Sequence, residues 1–251
     1  MINIKYILVE TTHAGNVGAS ARALKVMGFD KLCLVNPKCN HKDDTAVAMS
    51  SNANDILDNI QIFTGENAFD MAIADAHINI CLTARKREYS PPIIKSKQIC
   101  DLLAQKYSEY YNNSKHLNCN IIFGNEQFGL SNEDVLKCSH ILHIDANPNY
   151  SSLNLSQAVQ IIAYELSSIS LQTINSNFDM KNSIDYATSE QISGMHNHLL
   201  HALSHINFYD EKEPKKLVQR LQTLWAKSEL TTEEVNILRG IAKSILKVNL
   251  D

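Results

Sequence analysis

Several patterns that define membrane, secreted and metal-binding proteins are missing from this sequence. No apolar run reaches the roughly 18 residues of a membrane-spanning helix. The opening stretch, residues 1–10, lacks a cleavage-site pattern, so it predicts a β-strand rather than a signal peptide. The six cysteines include no CxxC pair, and several lie in or beside apolar runs. We therefore expect small buried thiols in a reducing compartment, and a cytoplasmic protein, rather than disulfides or zinc.

An excess of positive charge is also missing. The 251 residues include 23 Lys and Arg and 27 Asp and Glu, which gives a net charge of −4. Charge alone therefore argues against broad, nonspecific nucleic-acid binding, and a nucleic-acid partner would need a local basic patch. With 44% hydrophobic and 20% charged residues, the composition is globular and excludes a disordered or collagen-like chain.

Three common site motifs are absent as well. Without GxGxxG a dinucleotide-dependent enzyme is disfavoured, and without GxSxG a nucleophilic serine has no support. HExxH is absent, and no cysteine lies near a cluster of histidines in the segment 190–208. We expect these histidines to form a polar helix face and not a metal site. They are His196, His198, His201 and His205.

Short apolar runs alternate with helical patterns through the first two thirds of the chain. This alternation predicts an α/β fold with a parallel sheet that is covered on both faces. The predicted strands are 5–10, 31–35, 60–64, 77–82, 120–123 and 140–144. The helical patterns between them are 17–27, 68–74, 96–110 and 132–137.

The rest of the chain is predicted to be helical. An apolar helix over 153–171 closes the first domain, residues 1–171. The polar stretch 172–189, rich in Asn and Ser, predicts a linker. A small all-α extension, residues 190–251, follows with three helical patterns. These patterns are 190–208, 214–227 and 231–248.

The loop after the first strand contains Asn16-x-Gly18-x-x-x-Arg22. Its glycines, Gly15 and Gly18, would permit close backbone approach where a helix begins, and helix N-termini attract phosphate. Arg22 stands among small and apolar residues, which is unusual. The plainer alternative is a surface arginine whose stem lies along the helix.

Two further loops follow predicted strands. In the first, Glu126 lies within a turn between Gly124 and Gly129; an ordinary turn would not explain this carboxylate. In the second, a polar loop beginning at residue 145 runs into the apolar helix. Its serines could simply cap that helix, and Asn154 could be a local hydrogen-bonding residue.

A basic cluster follows the strand 77–82. Ligands of open α/β sheets collect beyond the carboxyl ends of strands, so three cations at this position predict a phosphate-binding patch. A solvated charge cluster is the plainer alternative. The cations are Arg85, Lys86 and Arg87.

Together these segments resemble the SPOUT superfamily of RNA methyltransferases, in its TrmH-like branch. Within that branch they are most similar to the TrmJ family of tRNA 2′-O-methyltransferases, which act on nucleotide 32 of the anticodon loop. The resemblance covers about residues 1–171, and the segment 236–241 is similar to the family's C-terminal extension. The matching motifs are Asn16-x-Gly18-x-x-x-Arg22, Phe123-Gly124-x-Glu126-x-x-Gly129-Leu130 and Asn147-Pro148-x-Tyr150-Ser151-Ser152-Leu153-Asn154-Leu155.

The resemblance implies a fold and its partners. The expected fold is a parallel α/β sheet whose C-terminal part forms a deep trefoil knot, a rare exception to unknotted topology. Members of the family form homodimers with active sites near the subunit interface. The helix that carries Asn16-x-Gly18-x-x-x-Arg22 (the motif-1 helix) and the helix 153–171 would contribute to this interface. The implied partner is tRNA, and no membrane or metal is expected. The family binds S-adenosylmethionine, here through Leu82, Thr83, Ala84, Gly124, Ile144, Ser151, Ser152 and Leu153.

The resemblance also assigns roles to catalytic residues. Arg22 would activate the ribose 2′-hydroxyl. Asn16, Glu126 and Asn154 would orient Arg22 and hold the loops. Arg85, Lys86 and Arg87 would bind RNA phosphates. Two alternatives remain within this interpretation: a related 2′-O-methyltransferase that acts on rRNA or another tRNA site, and a noncatalytic RNA-binding module.

Overall fold

The structure is a computed structural model that describes residues 2–83, 85, 90–110, 116–147, 149, 152–167, 184–212 and 216–248. Seven strands within these ranges form one sheet, and every strand pairing in it is parallel. The strands are β1 (Ile2–Val9), β2 (Leu32–Val35), β3 (Gln61–Phe63), β4 (Ile78–Leu82), β5 (Ile93–Lys95), β6 (Leu117–Phe123) and β7 (His140–His143). Their order across the sheet is β3-β2-β1-β6-β4-β7-β5.

The described helices surround this sheet and follow it in the chain. Those of the first domain are α1 (Ala14–Val26), α2 (Asp44–Ser50), α3 (Asn54–Asp58), α4 (Ala68–Ile73), α5 (Ile99–Tyr110), α6 (Asn132–Leu136) and α7 (Leu155–Ser167). Those of the C-terminal extension are α8 (Ser189–His205), α9 (Leu217–Ser228) and α10 (Thr232–Ile245). None of the described helices is long and apolar enough to cross a membrane.

The sheet is buried by a separate core on each face. In β1, Tyr6 and Leu8 belong to the core that also contains residues of α1, α5 and α7. Ile7 and Val9 point to the other core, which contains residues of α4 and α6. Because successive side chains of a strand face opposite sides, burial on both sides requires a continuous apolar run. The predicted parallel α/β sheet and all six predicted strands are confirmed.

Three elements were not predicted. The strand β5 contributes only Ile93 and Ile94 as apolar residues, and β-propensity in so short a run is not informative. The helices α2 and α3 have 7 and 5 residues, and two turns or fewer cannot show a helical period. The helix α2 does carry a local start signal, because the Asp43 side chain accepts a hydrogen bond from the Thr45 amide.

Gly18 brings α1 and α2 into close contact. A Cβ atom on Gly18 would lie 2.0 Å from the carbonyl oxygen of Ala46 in α2, so no larger residue fits. The close backbone approach expected at this glycine is therefore a contact between two helices.

The apolar stripe of α7 is buried within its own subunit. Val159 and Ile162 are fully buried in the core that also contains Val17 and Ala21 of α1. The stripe itself therefore packs against α1 and the sheet. The expected contribution of this helix to a subunit interface stays a prediction. The large apolar side chain that α7 exposes is that of Tyr164, at 67%.

The C-terminal extension docks against the amino ends of β4 and β7. The Ser189 amide donates to the Ala76 carbonyl (2.9 Å), and the buried Lys106 of α5 bonds to Glu229, which follows α9. Tyr186, which lies in the predicted linker, pairs with Thr231 as an isolated β-bridge and is buried. Residues 184–188 are thus part of the docking contact, whereas 172–183 lie outside the described residues.

Candidate active site

Four loops meet at the carboxyl edge of the sheet. The strands β1, β6, β4 and β7 are neighbours in this order, and all run in the same direction. The segments that follow them therefore emerge side by side, and their first described residues are 10–13, 124–129, 83 and 144–147. This edge is where open α/β sheets bind their ligands.

Glu126 is the most heavily hydrogen-bonded side chain of these loops. Its Oε1 accepts hydrogen bonds from Thr11 Oγ1 (2.8 Å) and Asn16 Nδ2 (2.9 Å), with the His13 amide at 3.4 Å. Its Oε2 accepts from the Thr12 amide (3.0 Å) and Thr12 Oγ1 (3.1 Å). The two oxygens of a carboxylate offer about four acceptor positions, so the protein itself fills all of them.

This environment keeps Glu126 ionised. Partial burial alone would raise its pKa, but hydrogen bonds from Asn16, Thr11 and the Thr12 backbone outweigh burial and lower the pKa to about 2. The carboxylate also lies where α1 begins, so it occupies the anion-attracting end of that helix. Helix N-termini attract phosphate, and the structure places the Glu126 carboxylate at this helix end.

A chain of hydrogen bonds links the three motif loops. Asn16 donates to Glu126, and its Oδ1 accepts from Asn154 Nδ2 (3.0 Å). Asn154 Oδ1 in turn accepts from the amide of Ser156 (2.9 Å) at the start of α7. Three of the four residues expected to be catalytic are thus brought together, although they lie up to 138 positions apart in sequence.

The turn after β6 is fixed by its own backbone and by Asn125. A Cβ on Gly124 would lie 2.3 Å from both the carbonyl carbon of Gly129 and the amide nitrogen of Leu130, so the turn closes tightly. Asn125 Nδ2 donates to the carbonyl of Glu10 (2.7 Å), a non-glycine residue with φ of 50°. This left-handed conformation is costly for a residue with a side chain, and it turns the chain just before Thr11 and Thr12.

Sequence reasoning missed Thr11, Thr12 and Asn125. Thr11 is fully buried, and both threonines hold the Glu126 carboxylate. The one available signal was the presence of two hydroxyl residues directly after a strand, at the edge where a ligand is expected. Their partner, Glu126, is more than 110 positions away, so the pairing itself could not be found from one sequence.

Arg22 does not join this network. It lies on α1, six positions beyond Asn16, which corresponds to about 9 Å along the helix axis. Its side chain is exposed, and it makes no hydrogen bond or ion pair with any residue that the structure describes. Within one subunit, Asn16, Glu126 and Asn154 therefore orient one another rather than Arg22.

The residues expected to bind the cofactor lie at three neighbouring strand ends. Leu82 ends β4, Gly124 follows β6 and Ile144 follows β7. Leu82 and Ile144 are partly buried against the core, and Leu153, just before α7, is 37% exposed. Accessible apolar side chains beside loop backbone suit an adenine ring and the methylene groups of the methionine part, so this residue set fits S-adenosylmethionine. Thr83 and the exposed Ser152 adjoin these positions, whereas Ala84 and Ser151 lie outside the described residues.

The basic cluster is only partly described. Arg85 is exposed at the carboxyl end of β4, and its amide donates to Thr83 Oγ1 (3.2 Å). Lys86 and Arg87 lie outside the described residues. The position of Arg85 beside the cofactor residues is compatible with an RNA phosphate contact.

Two of the four histidines of α8 form hydrogen bonds within the protein. His196 is buried, and its Nδ1 accepts a hydrogen bond from Trp225 Nε1 (3.0 Å). Burial lowers the pKa of His196, so its ring is neutral. His205 Nε2 bonds to the Val248 carbonyl (2.9 Å). Among the described residues, no group of three metal-ligating side chains could hold an ion.

Comparisons with known proteins agree with this geometry. The family model described as "SpoU rRNA Methylase family" matches residues 3–164, and that of the "tRNA methyltransferase TrmJ, C-terminal domain" matches residues 190–250. A tRNA (cytidine/uridine-2′-O-)-methyltransferase TrmJ of Photorhabdus laumondii is 34% identical over 245 residues, covering 98% of this chain and 97% of its own. The crystal structure of TrmJ from Z. mobilis superposes with a TM-score of 0.79 at 27% identity, covering 97% of this chain and 99% of its own.

A more distant neighbour shares the fold alone. The AdoMet-bound rRNA methyltransferase of Sinorhizobium meliloti has a TM-score of 0.51 at 18% identity, covering 65% of this chain and 55% of its own. The match of the first family model spans well over half of the chain, and it includes all three loops that the hydrogen-bond chain connects. The chain therefore belongs to the SpoU methylase family, and it carries the TrmJ C-terminal domain as its helical extension.

Proposed function

We propose that the protein is an S-adenosylmethionine-dependent tRNA methyltransferase that 2′-O-methylates the ribose of cytidine or uridine 32 in the anticodon loop. The observation that carries this proposal is the hydrogen-bond chain from Asn154 through Asn16 to Glu126, which links the three motif loops at one edge of the sheet. Similarity to a tRNA 2′-O-methyltransferase over nearly the whole chain supports it.

The chemistry requires positioning and the removal of one proton. A ribose hydroxyl is a weak nucleophile at neutral pH, so it must be held in line with the methyl group. When bound, S-adenosylmethionine supplies a methyl group already activated by its sulfonium. The residues proposed to hold the cofactor are Leu82, Thr83, Ala84, Gly124, Ile144, Ser151, Ser152 and Leu153.

Glu126 is a positioning residue in this mechanism. Its pKa of about 2 and its filled acceptor positions leave it no capacity to take the ribose proton at neutral pH. It holds Asn16, which in turn holds Asn154 and the loop before α7. Through these two residues Glu126 fixes the start of α1 and the loop before α7 relative to the turn after β6.

Arg22 is assigned to activation of the hydroxyl. Arginine stays protonated at neutral pH, because its pKa is about 12 or more. A neighbouring RNA phosphate therefore has to share the removal of the ribose proton. The exposure of Arg22 leaves it accessible to RNA or to a second subunit. Arg85, Lys86 and Arg87 would bind further phosphates, which makes RNA binding dependent on salt although the chain is acidic overall.

The proposal includes the features that the family implies for the whole molecule. These are a trefoil knot in the first domain, a cytoplasmic location and a homodimer. Because the α7 stripe is buried, the dimer contact would use side chains that α1 and α7 expose, such as Val26 and Tyr164, each 67% exposed. The proposed domains are 1–171 and 190–251, joined by 172–189.

The test is mass spectrometry of nucleosides from tRNA and rRNA of cells that lack the protein. Loss of a 2′-O-methylated pyrimidine at position 32, restored by the wild-type gene but not by Arg22→Ala, would support the proposal. Loss from rRNA or from another tRNA position would instead assign the related activity. If no methylated nucleoside is lost but the purified protein binds RNA, it is a noncatalytic RNA-binding module.

A further inference from the structure

Phe128 exposes an aromatic ring beside the candidate site. It lies in the turn after β6, two positions beyond Glu126, and its side chain is 64% exposed. The buried apolar position of this turn is taken by Leu130, which is 3% exposed and belongs to a core. The fold therefore does not depend on burial of the Phe128 ring.

The backbone that carries Phe128 is held firmly. Its amide donates to Asn125 Oδ1 (3.1 Å), which also accepts from the Gln127 amide (2.9 Å). The Gly129 amide donates to the Asn125 carbonyl (2.8 Å), and Gly129 adopts φ of 68°. An aromatic ring has few rotatable bonds, so on a fixed turn it loses little conformational entropy when it binds.

We propose that Phe128 is a stacking platform for an unpaired base of the substrate RNA next to the methylated nucleotide. This inference rests on the proposed function and extends it to a residue that selects the substrate. Proteins recognise single-stranded RNA loops mainly by stacking bases on aromatic side chains. The chain carries a net charge of −4, so phosphate attraction contributes less here than in a basic protein, and a stacking contact gains importance.

The first measurement compares RNA affinity and methyl transfer in Phe128 variants. Phe128→Ala should weaken binding of substrate tRNA by about 5- to 150-fold, the range expected for one base–aromatic stack. The single-turnover rate at saturating tRNA should change little, and Phe128→Tyr should retain the affinity. Phe208, which is 66% exposed and follows α8 in the extension, provides a matched control as Phe208→Ala. The melting temperature of Phe128→Ala should equal that of the wild type.

The second measurement identifies the base. Substrate tRNAs with single abasic nucleotides in the anticodon loop are titrated with the wild type and with Phe128→Ala. At one loop position, removal of the base should weaken wild-type binding and leave binding of Phe128→Ala unchanged. Equal losses in both proteins at every position would overturn the inference.

Three other outcomes also decide the question. If the wild type methylates tRNA but Phe128→Ala binds it with unchanged affinity, the stacking inference fails and the proposed function stands. If light scattering shows that Phe128→Ala changes the oligomeric state, the ring belongs to a subunit contact and the inference fails. If the wild type methylates no tRNA or rRNA, the proposed function and the inference fail together.

Discussion

Replacing Glu126 with glutamine should destabilise the protein in a way that depends on pH. The carboxylate accepts hydrogen bonds on both oxygens, from Thr11 and Asn16 on one and from Thr12 on the other. Glutamine presents an NH₂ group in place of one oxygen, and this group would face donors. At least two hydrogen bonds to a charged acceptor are lost, at roughly 1.5–3 kcal/mol each before the site relaxes.

The size of the effect follows from the pKa. The fall from an ordinary value of 4.5 to about 2 corresponds to roughly 3 kcal/mol at about 1.36 kcal/mol per pKa unit. Glu126 is only partly buried, and solvent screening reduces this contribution to about 1–2 kcal/mol. Because the pKa is lowered in the folded protein, the stabilisation is complete above about pH 4.5 and is lost as the pH falls towards 2.

The assay is urea unfolding of wild type and Glu126→Gln between pH 7 and the lowest pH at which both remain folded. We expect the wild type to be more stable by about 2 kcal/mol at pH 7, since two charged hydrogen bonds are partly replaced by water. This difference should narrow below about pH 4.5. Glu66→Gln, which changes an exposed carboxylate, serves as the control and should show neither effect. A difference that stays constant across this pH range, or a variant as stable as the wild type at pH 7, would refute the reasoning.

Three other substitutions separate chemistry, RNA binding and domain docking. Arg22→Ala should lower the single-turnover rate of methyl transfer by about 100- to 10,000-fold while S-adenosylmethionine still binds. Arg22→Lys should not restore this rate. A near-normal rate with weaker tRNA binding would make Arg22 a phosphate contact. Arg85→Ala should weaken tRNA binding and reduce the slope of affinity against salt by about one, with saturated transfer little changed; an unchanged slope would contradict a phosphate contact. Lys106→Met should destabilise the protein by about 3 kcal/mol in urea unfolding, because the partly buried carboxylates of Glu109 and Glu229 lose their cation. Adding Glu229→Gln should recover part of that loss, and failure to do so would show that the ion pair is not the cause.

The sequence predicted those parts of the fold that depend on local pattern. Buried parallel strands are continuous apolar runs, so each predicted strand could be found from its own residues. Helix starts with a capping box were equally local, as at Thr231, whose side chain and that of Glu234 cap the start of α10. By contrast, α7 shows an apolar stripe whose partner cannot be read from one sequence. The stripe faces α1 in the same subunit.

The candidate site was predictable in its residues but not in its connections. Asn16, Glu126 and Asn154 were expected at one site because of the family resemblance, and an ordinary turn left only Glu126 unexplained; the three residues do meet. Their order in the network follows from the strand order β1-β6-β4-β7, which brings distant loops together. The structural role of Gly124 was likewise not predictable, because its close contact with the backbone of Gly129 and Leu130 appears only in the folded turn.

The two ends of the sheet separate the candidate site from the helical extension. Ala76, which accepts the Ser189 amide of the extension, lies before β4, and Thr83 lies after it. An extended chain of seven residues covers up to about 23 Å. The docking contact that the structure describes therefore lies at the opposite edge of the sheet from Glu126. Substitutions at this contact, such as Lys106→Met, should accordingly lower stability while leaving the pH dependence that Glu126 imposes unchanged.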